Sequence, residues 1–329
     1  MSDLAPTVEA FFTQRLIGQL QASPHTVAAY SDTYRLLFAF VQNQNGKAPS
    51  QLEVDDLDTP MIAAFLDHLE HHRASSARTR NARLSAIHSL FRFAALRHPE
   101  HAATIQRVLA IPQKRRDDGV VSFLTTPEID AVLAAPDPTT RIGRRDHALL
   151  LVAIQSGLRA SELVAVCRQD LHLEANAHLR CYGKGRKERY TPLTAHTTTV
   201  LQAWLEELGG GPDTPLFPGP SGAALGRDAV RRLVIKHAVA ARAHCPSLNA
   251  KRVTPHVLRH TTAMQLLRSG CDPTVIALWL GHEDTKSVQI YVHADLALKE
   301  QALARTTPPN VTAGRYQPAD PLLAFLEDL

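Results

Sequence analysis

Between residues 171 and 193 the sequence changes character. Leu171-His172-Leu173, residues 178–182 and residues 188–193 read as three short strands, separated by Glu174-Ala175-Asn176 and by Gly183-Lys184-Gly185. Before and after it the apolar residues of both domains recur mostly at helical spacing. One short meander inside a helical chain restricts the fold to a mainly α architecture with a small antiparallel sheet.

The first 110 residues read as four short helices. Ser23-Pro24 supplies an N-cap and a first-turn proline, and Val27, Tyr30, Tyr34, Leu37, Phe38 and Val41 follow at helical spacing until Asn45-Gly46. Thr59-Pro60 repeats the start signal before Ile62, Phe65, Leu66 and Leu69. A third helix, rich in arginine, runs from about Ser76 to Ala94, and a fourth covers about Glu100 to Leu109. Residues 112–122, with Lys114-Arg115-Arg116, carry charge and little apolar content. They read as a linker, either a solvated loop or a basic strap along a phosphate backbone. Thr126-Pro127-Glu128 opens a second set of helices, among them an apolar one from Asp146 to Ser156 that stops at Gly157. The expected division is 1–111, a linker at 112–122, a second domain at 123–305, and a tail at 306–329 ending in an amphipathic helix.

The formal net charge of +4 says little alone; its distribution says more, because Arg73, Arg78, Arg80, Arg83, Arg92, Arg97 and Arg107 crowd the first third. The four cysteines are scattered without a C-x-x-C pair, which speaks against a metal finger and fits a reducing compartment. The N-terminus lacks a signal-peptide pattern, and no uncharged apolar run approaches the roughly 20 residues of a membrane span. The expectation is a cytoplasmic protein with no membrane partner.

Five segments carry reactive chemistry. They are Gly157-Leu158-Arg159-Ala160-Ser161-Glu162, Gly183-Lys184-Gly185-Arg186-Lys187, His256-Val257-Leu258-Arg259-His260, Leu280-Gly281-His282, and the stretch reaching Tyr291. Metal-free cleavage of a phosphodiester needs a nucleophile, positive charge on the non-bridging oxygens and a proton donor for the leaving oxygen. Arg159 and Arg259 can grip phosphate oxygens in pairs. Glu162 can hold Arg159 in place, or form an ordinary surface pair with it. Thr254-Pro255 reads as a helix start, which puts His256 and Arg259 near an N-terminus that favours phosphate; His256 then contacts the same phosphate or acts as general base towards Tyr291. His256 and His260 share the spacing of a zinc helix, but the metalloprotease pattern needs a glutamate after the first histidine and Val257 stands there. His260 reads as a buried residue. His282 after Gly281 is a hydrogen-bond donor or a helix-end cap. Lys184, Arg186 and Lys187 are equal candidates for a phosphate contact. Tyr291, taken alone, reads as a packing residue. The glycine turn is not a Walker loop, and nothing suggests ATP.

These residues, in this order, resemble the active site of the tyrosine recombinases, the phage-integrase and Xer family. The resemblance runs from about Ser23 to His293. It implies a SAM-like helical DNA-binding domain followed by a recombinase catalytic domain. Arg159, Lys184, His256, Arg259, His282 and Tyr291 would be catalytic, with Lys184 as proton donor and Tyr291 as the nucleophile that forms a 3′-phosphotyrosine bond. Arg78, Thr79, Arg80, Arg83, Lys114, Arg115, Arg186 and Lys187 would contact DNA. The partners implied are double-stranded DNA and three further copies of the chain, a homotetramer on DNA, with room for a related recombinase. No metal or other cofactor is required. Within the family the tail tilts the reading to an integrase or transposase of a mobile element over a housekeeping Xer-type dimer resolvase. A type IB topoisomerase and an inert DNA-binding regulator are the other readings. In the tail, Leu322, Phe325 and Leu326 would dock on a neighbouring copy or on the parent domain.

Overall fold

The protein is described here by a computed structural model that covers residues 4–115, 121–183, 188–281 and 288. It divides into two compact units, Met1–Asp118 and Gly119–Leu329. The fold is mainly helical with one three-stranded antiparallel sheet. The C-terminal segment expected to dock lies outside the described residues. Among the described residues no helix is long and apolar enough to cross a membrane.

The first unit contains α1 (Leu4–Ala10), a π-helix (Phe11–Gln19), α2 (Pro24–Asn45), α3 (Thr59–His71), α4 (Ala77–Ala94) and α5 (Ala102–Leu109). Ser23 caps α2 by accepting from the Thr26 N–H, and Gly46 closes it at φ 75°, where only glycine rests without strain. The cap of α3 is Asp58, one residue before the expected start, accepting from the Met61 N–H at 2.9 Å. Leu37, Val41, Ile62, Phe65, Leu66, Leu69, Leu84 and Ile87 are fully or almost fully buried. Each such side chain contributes about 1.5–3 kcal/mol of apolar burial.

The sequence reading placed four helices here and missed the segment from Leu4 to Gln19. Phe11 and Leu16 of that segment are buried, and Phe11 packs against Tyr30, Tyr34 and Phe93. Their spacing of five residues fits the widened π turn and breaks the 3.6-residue period by which helices are recognised.

The start of the expected linker is tied down. Asn81 on α4 is buried; it donates to the Lys114 carbonyl at 2.8 Å and accepts from the Lys114 N–H at 3.1 Å. Arg80 donates to the Pro112 carbonyl, and Lys114 Nζ pairs with Glu70 at 2.6 Å.

The second unit contains α6 (Thr126–Ala134), α7 (Arg141–Ser156), α8 (Ala160–Ala165), β1 (Leu171–His172), β2 (His178–Tyr182), β3 (Glu188–Pro192), α9 (Ala195–Leu208), α10 (Arg227–Ala241), α11 (Pro255–Arg268) and α12 (Pro273–Leu280). α7 begins at Arg141, five residues before the sequence reading put it, because Thr140 caps it by accepting from the Gly143 N–H. Its middle, Ala148–Ile154, is buried and packs against α9 and α11. In the sheet, Cys181 stands opposite Arg189 and Leu179 opposite Thr191. All four are buried, while Tyr182, Glu188 and Tyr190 face out.

Replacing Asn81 by alanine removes both bonds to Lys114. Loss of a buried amide pair costs about 1–3 kcal/mol. Asn81→Ala is expected to lower the melting temperature and to speed hydrogen exchange at the Lys114 amide; an unchanged exchange rate would show that the tie carries no load.

Candidate active site

The site is built where helices end. α7 stops at Gly157, which has φ 62°. A side chain there would run into Leu280 and Thr262, so the position needs glycine for conformation and for space. Two residues on, Arg159 is extended and becomes the N-cap of α8. Glu162, 5% exposed, accepts from the Arg159 backbone N–H at 2.8 Å and from its Nη1 at 2.7 Å. The pair is thus a fixed element and not a solvated surface contact. Burial alone would raise the Glu162 carboxyl; the Arg159 N–H, the Arg189 charge and the Arg159 guanidinium outweigh it and hold the group below the usual glutamate range.

Arg259 lies one turn into α11. Thr254 caps that helix, with Pro255 and His256 in its first turn. Arg259 is 5% exposed. It donates through Nη1 to the Gly157 carbonyl at 2.6 Å and through Nη2 to the Leu280 carbonyl at 2.7 Å. α12 ends at Gly281, φ 65°. Arg159 Nη2 donates to the Gly281 carbonyl at 3.1 Å. The last carbonyls of a helix have no partner within it and carry its negative end, so guanidinium groups are drawn there.

Sequence reasoning missed Arg189. Its Nη1 donates to the Leu280 carbonyl at 2.7 Å and its Nη2 to Glu162 Oε2 at 3.0 Å. Strand alternation in Glu188-Arg189-Tyr190-Thr191 signals that Arg189 and Thr191 share a face, but not that this face is the inner one.

Arg159, His256 and Arg259 line a cleft of about 740 Å³, together with Arg227, Arg231, Arg232 and Asp228. The first turns of α10 and α11 open on it, so backbone N–H groups add to the side-chain charge. The three arginines of α10 were also missed. Their only sequence signal is a helix start followed by an Arg-Arg pair, which reads equally as a solvated face. His260 is half-buried beside this group. Burial, with the neighbouring His256 and Arg259 charges, pushes its imidazole down to about 4. Among the described residues no group of three or more His, Cys, Asp or Glu is arranged to hold a metal ion.

Lys184, Arg186, Lys187, His282 and Tyr291 lie outside the described residues. In the first unit, Arg78, Thr79 and Arg115 are exposed, whereas Lys114 is engaged with Glu70. Arg80 is 7% exposed and turned inward to Asn81 and Pro112, which removes it from the surface expected to meet DNA. Arg83 is half-buried, and its Nε and Nη1 reach no hydrogen-bond partner.

The phage integrase family model matches residues 122–297, and the model of the phage integrase N-terminal SAM-like domain matches residues 10–98. A putative integrase/recombinase, y4rC, of Sinorhizobium fredii is 54% identical, covering 100% of this chain and 99% of that protein. A tyrosine recombinase XerC of Pelobacter propionicus is 33% identical over 90% of this chain and 93% of its own length. The solved structure of XerH bound to a palindromic difH substrate superposes with a TM-score of 0.67 at 20% identity, over 87% of this chain and 81% of that one. A Tn1549 transposon integrase bound to circular intermediate DNA superposes with a TM-score of 0.69 at 15% identity, over 90% of this chain and 98% of that one. At such identities the two structures show a shared fold.

His260 links the site to acid stability. Its folded value of about 4 lies below the unfolded 6.5, so between those pH values the unfolded chain binds a proton that the native chain does not. Stability therefore falls as the pH drops through that window. In denaturant titrations across it, His260→Gln is expected to flatten the pH slope by up to about one proton; a slope equal to wild type would place the titration elsewhere.

Proposed function

Because the chain belongs to the phage integrase family, the tyrosine recombinases, we propose that it cuts and rejoins DNA at a specific site through Tyr291. The observation that carries this reading is the convergence of Arg159, His256 and Arg259 on one basic cleft.

In this mechanism the two guanidinium groups hold the non-bridging oxygens of one phosphate and take up the charge of the pentavalent centre. The Tyr291 oxygen attacks phosphorus as His256 takes its proton, the bond to the 5′ oxygen breaks, and Lys184 gives that oxygen a proton. His282 donates to a non-bridging oxygen. The 3′-phosphotyrosine keeps the phosphodiester energy, so a 5′ hydroxyl from a second duplex can attack it and release Tyr291. Four copies on two duplexes would perform the exchange. Arg227, Arg231 and Arg232 extend the phosphate contact beyond the reacting group, and Arg78, Thr79, Arg83 and Arg115 offer a second one on the first unit.

Within the family the proposed role is that of a mobile-element integrase. Full-length likeness to a protein named integrase/recombinase, at 54%, supports it. The likeness to XerC at 33% supports a dimer resolvase instead.

The test uses the full-length protein and a library of duplexes each nicked near its centre. The covalent adducts are isolated and their attached 3′ ends sequenced. Wild type is expected to trap DNA and Tyr291→Phe to trap none; Arg159→Ala is expected to react about 100- to 1,000-fold more slowly. Adducts that resolve only by relaxing supercoils would indicate a topoisomerase, and binding without adduct a regulator. Recovered ends at the borders of a repeated element support the integrase; a single chromosomal site supports the resolvase.

Phosphate contacts on α10 make a separate prediction. Arg231→Ala and Arg232→Ala should each weaken DNA binding and lower the slope of log affinity against log salt by about 0.9. A slope equal to that of wild type would remove α10 from the interface.

A further inference from the structure

Arg189 belongs to no step of this mechanism, yet it touches the supports of both phosphate-binding arginines. It sits in β3 with 8% of its surface exposed, opposite Cys181. Through Nη2 it holds Glu162 Oε2, the oxygen that also takes the Arg159 backbone N–H, and so leaves Oε1 to the Arg159 guanidinium. Through Nη1 it holds the Leu280 carbonyl, which Arg259 Nη2 also uses. The close approach requires Gly281, since a side chain there would collide with the Arg189 guanidinium.

We propose that Arg189 is a positioning residue that sets the two phosphate-binding arginines through one shared acceptor each, Glu162 for Arg159 and the Leu280 carbonyl for Arg259. This rests on the recombinase reading above. Stability alone is a poor reason for such a residue, because replacing a whole buried ion pair by well-packed apolar side chains is often neutral or stabilising. Arg189 meets the carboxylate and the carbonyl with two different nitrogens of one rigid fork. The donors of a lysine share one nitrogen, which serves two acceptors only where both lie within reach of that point, as Lys251 does for the Phe123 carbonyl and Glu128. Without Arg189 the buried Glu162 carboxylate has only Arg159 to pair with and draws that guanidinium toward itself. Displacement of a reacting group by about 1 Å costs on the order of 100-fold in rate.

The test measures single-turnover adduct formation by the full-length protein on the nicked duplex recovered by covalent capture, beside its affinity for the same duplex. Arg189→Met is expected to react about 100-fold more slowly while binding DNA as wild type does, with Arg189→Lys between the two. In a cycle with Glu162→Gln, the double variant is expected to be no slower than the slower single variant, because both act on one arrangement. A duplex with a neutral methylphosphonate at the cleavage position should narrow the Arg189→Met deficit, since the guanidinium pair then has less charge to meet. Should Arg189→Met fail to fold, Arg189→Lys carries the same cycle. Wild-type rates in the variant, losses that multiply in the cycle, or an equal loss of binding and cleavage overturn the proposal. A wild-type protein that forms no adduct at all overturns the recombinase reading itself, and this inference with it.

Discussion

The Leu280 carbonyl is where the second unit is locked. It closes α12 and receives one N–H from Arg189 and one from Arg259. Arg259 continues to the Gly157 carbonyl at the end of α7, and Arg159 reaches the Gly281 carbonyl beside it. Two helix ends, each with unpaired carbonyls, are thus bridged by guanidinium groups. Three like charges this close would repel one another in a poorly hydrated setting. Glu162, buried and held ionised by its partners, offsets that repulsion through bonds to Arg159 and Arg189.

The same arrangement separates signs of charge. Carbonyl ends of α7 and α12 face the arginines from behind, while the N–H ends of α10 and α11 open on the cleft in front. A phosphate entering the cleft meets donors already oriented by protein contacts. Such donors need little reorganisation as charge develops, and that is how a fixed site lowers a barrier. Gly157 and Gly281 are required by this closeness. Each sits at positive φ, and at each a side chain would strike a neighbour of the lock.

Much of this could be read in the sequence, and the failures have identifiable causes. Caps at Ser23, Ser76 and Thr254 are local hydrogen bonds to an N–H a few residues on, so they are legible in the residues themselves. The strand order is legible because turns that short leave neighbouring strands little choice but to pair. The segment from Leu4 to Gln19 was missed because its π turn departs from the helical period. Arg80 looked like a surface cation and is buried, since its partner, the Pro112 carbonyl, is 32 residues away. In β3 the more apolar Tyr190 faces out and Arg189 faces in, the reverse of what hydropathy suggests. Only the acceptors waiting on α8 and α12 explain that choice.

The sequence alone determined which residue types are present, the order in which they come and, outside the segment from Leu4 to Gln19 and the first turn of α7, the main helices and strands; these follow from neighbours a few positions apart. It also pointed to Glu162 as a partner of Arg159, since three residues along a helix is a local relation. Tertiary structure decided that Arg259 meets the Gly157 carbonyl across 102 positions of chain, that Arg189 turns into the core, and that α10 lends its arginines to the same cleft. These contacts depend on which helix ends pack together. Packing answers to the burial of whole apolar faces, which no single motif encodes.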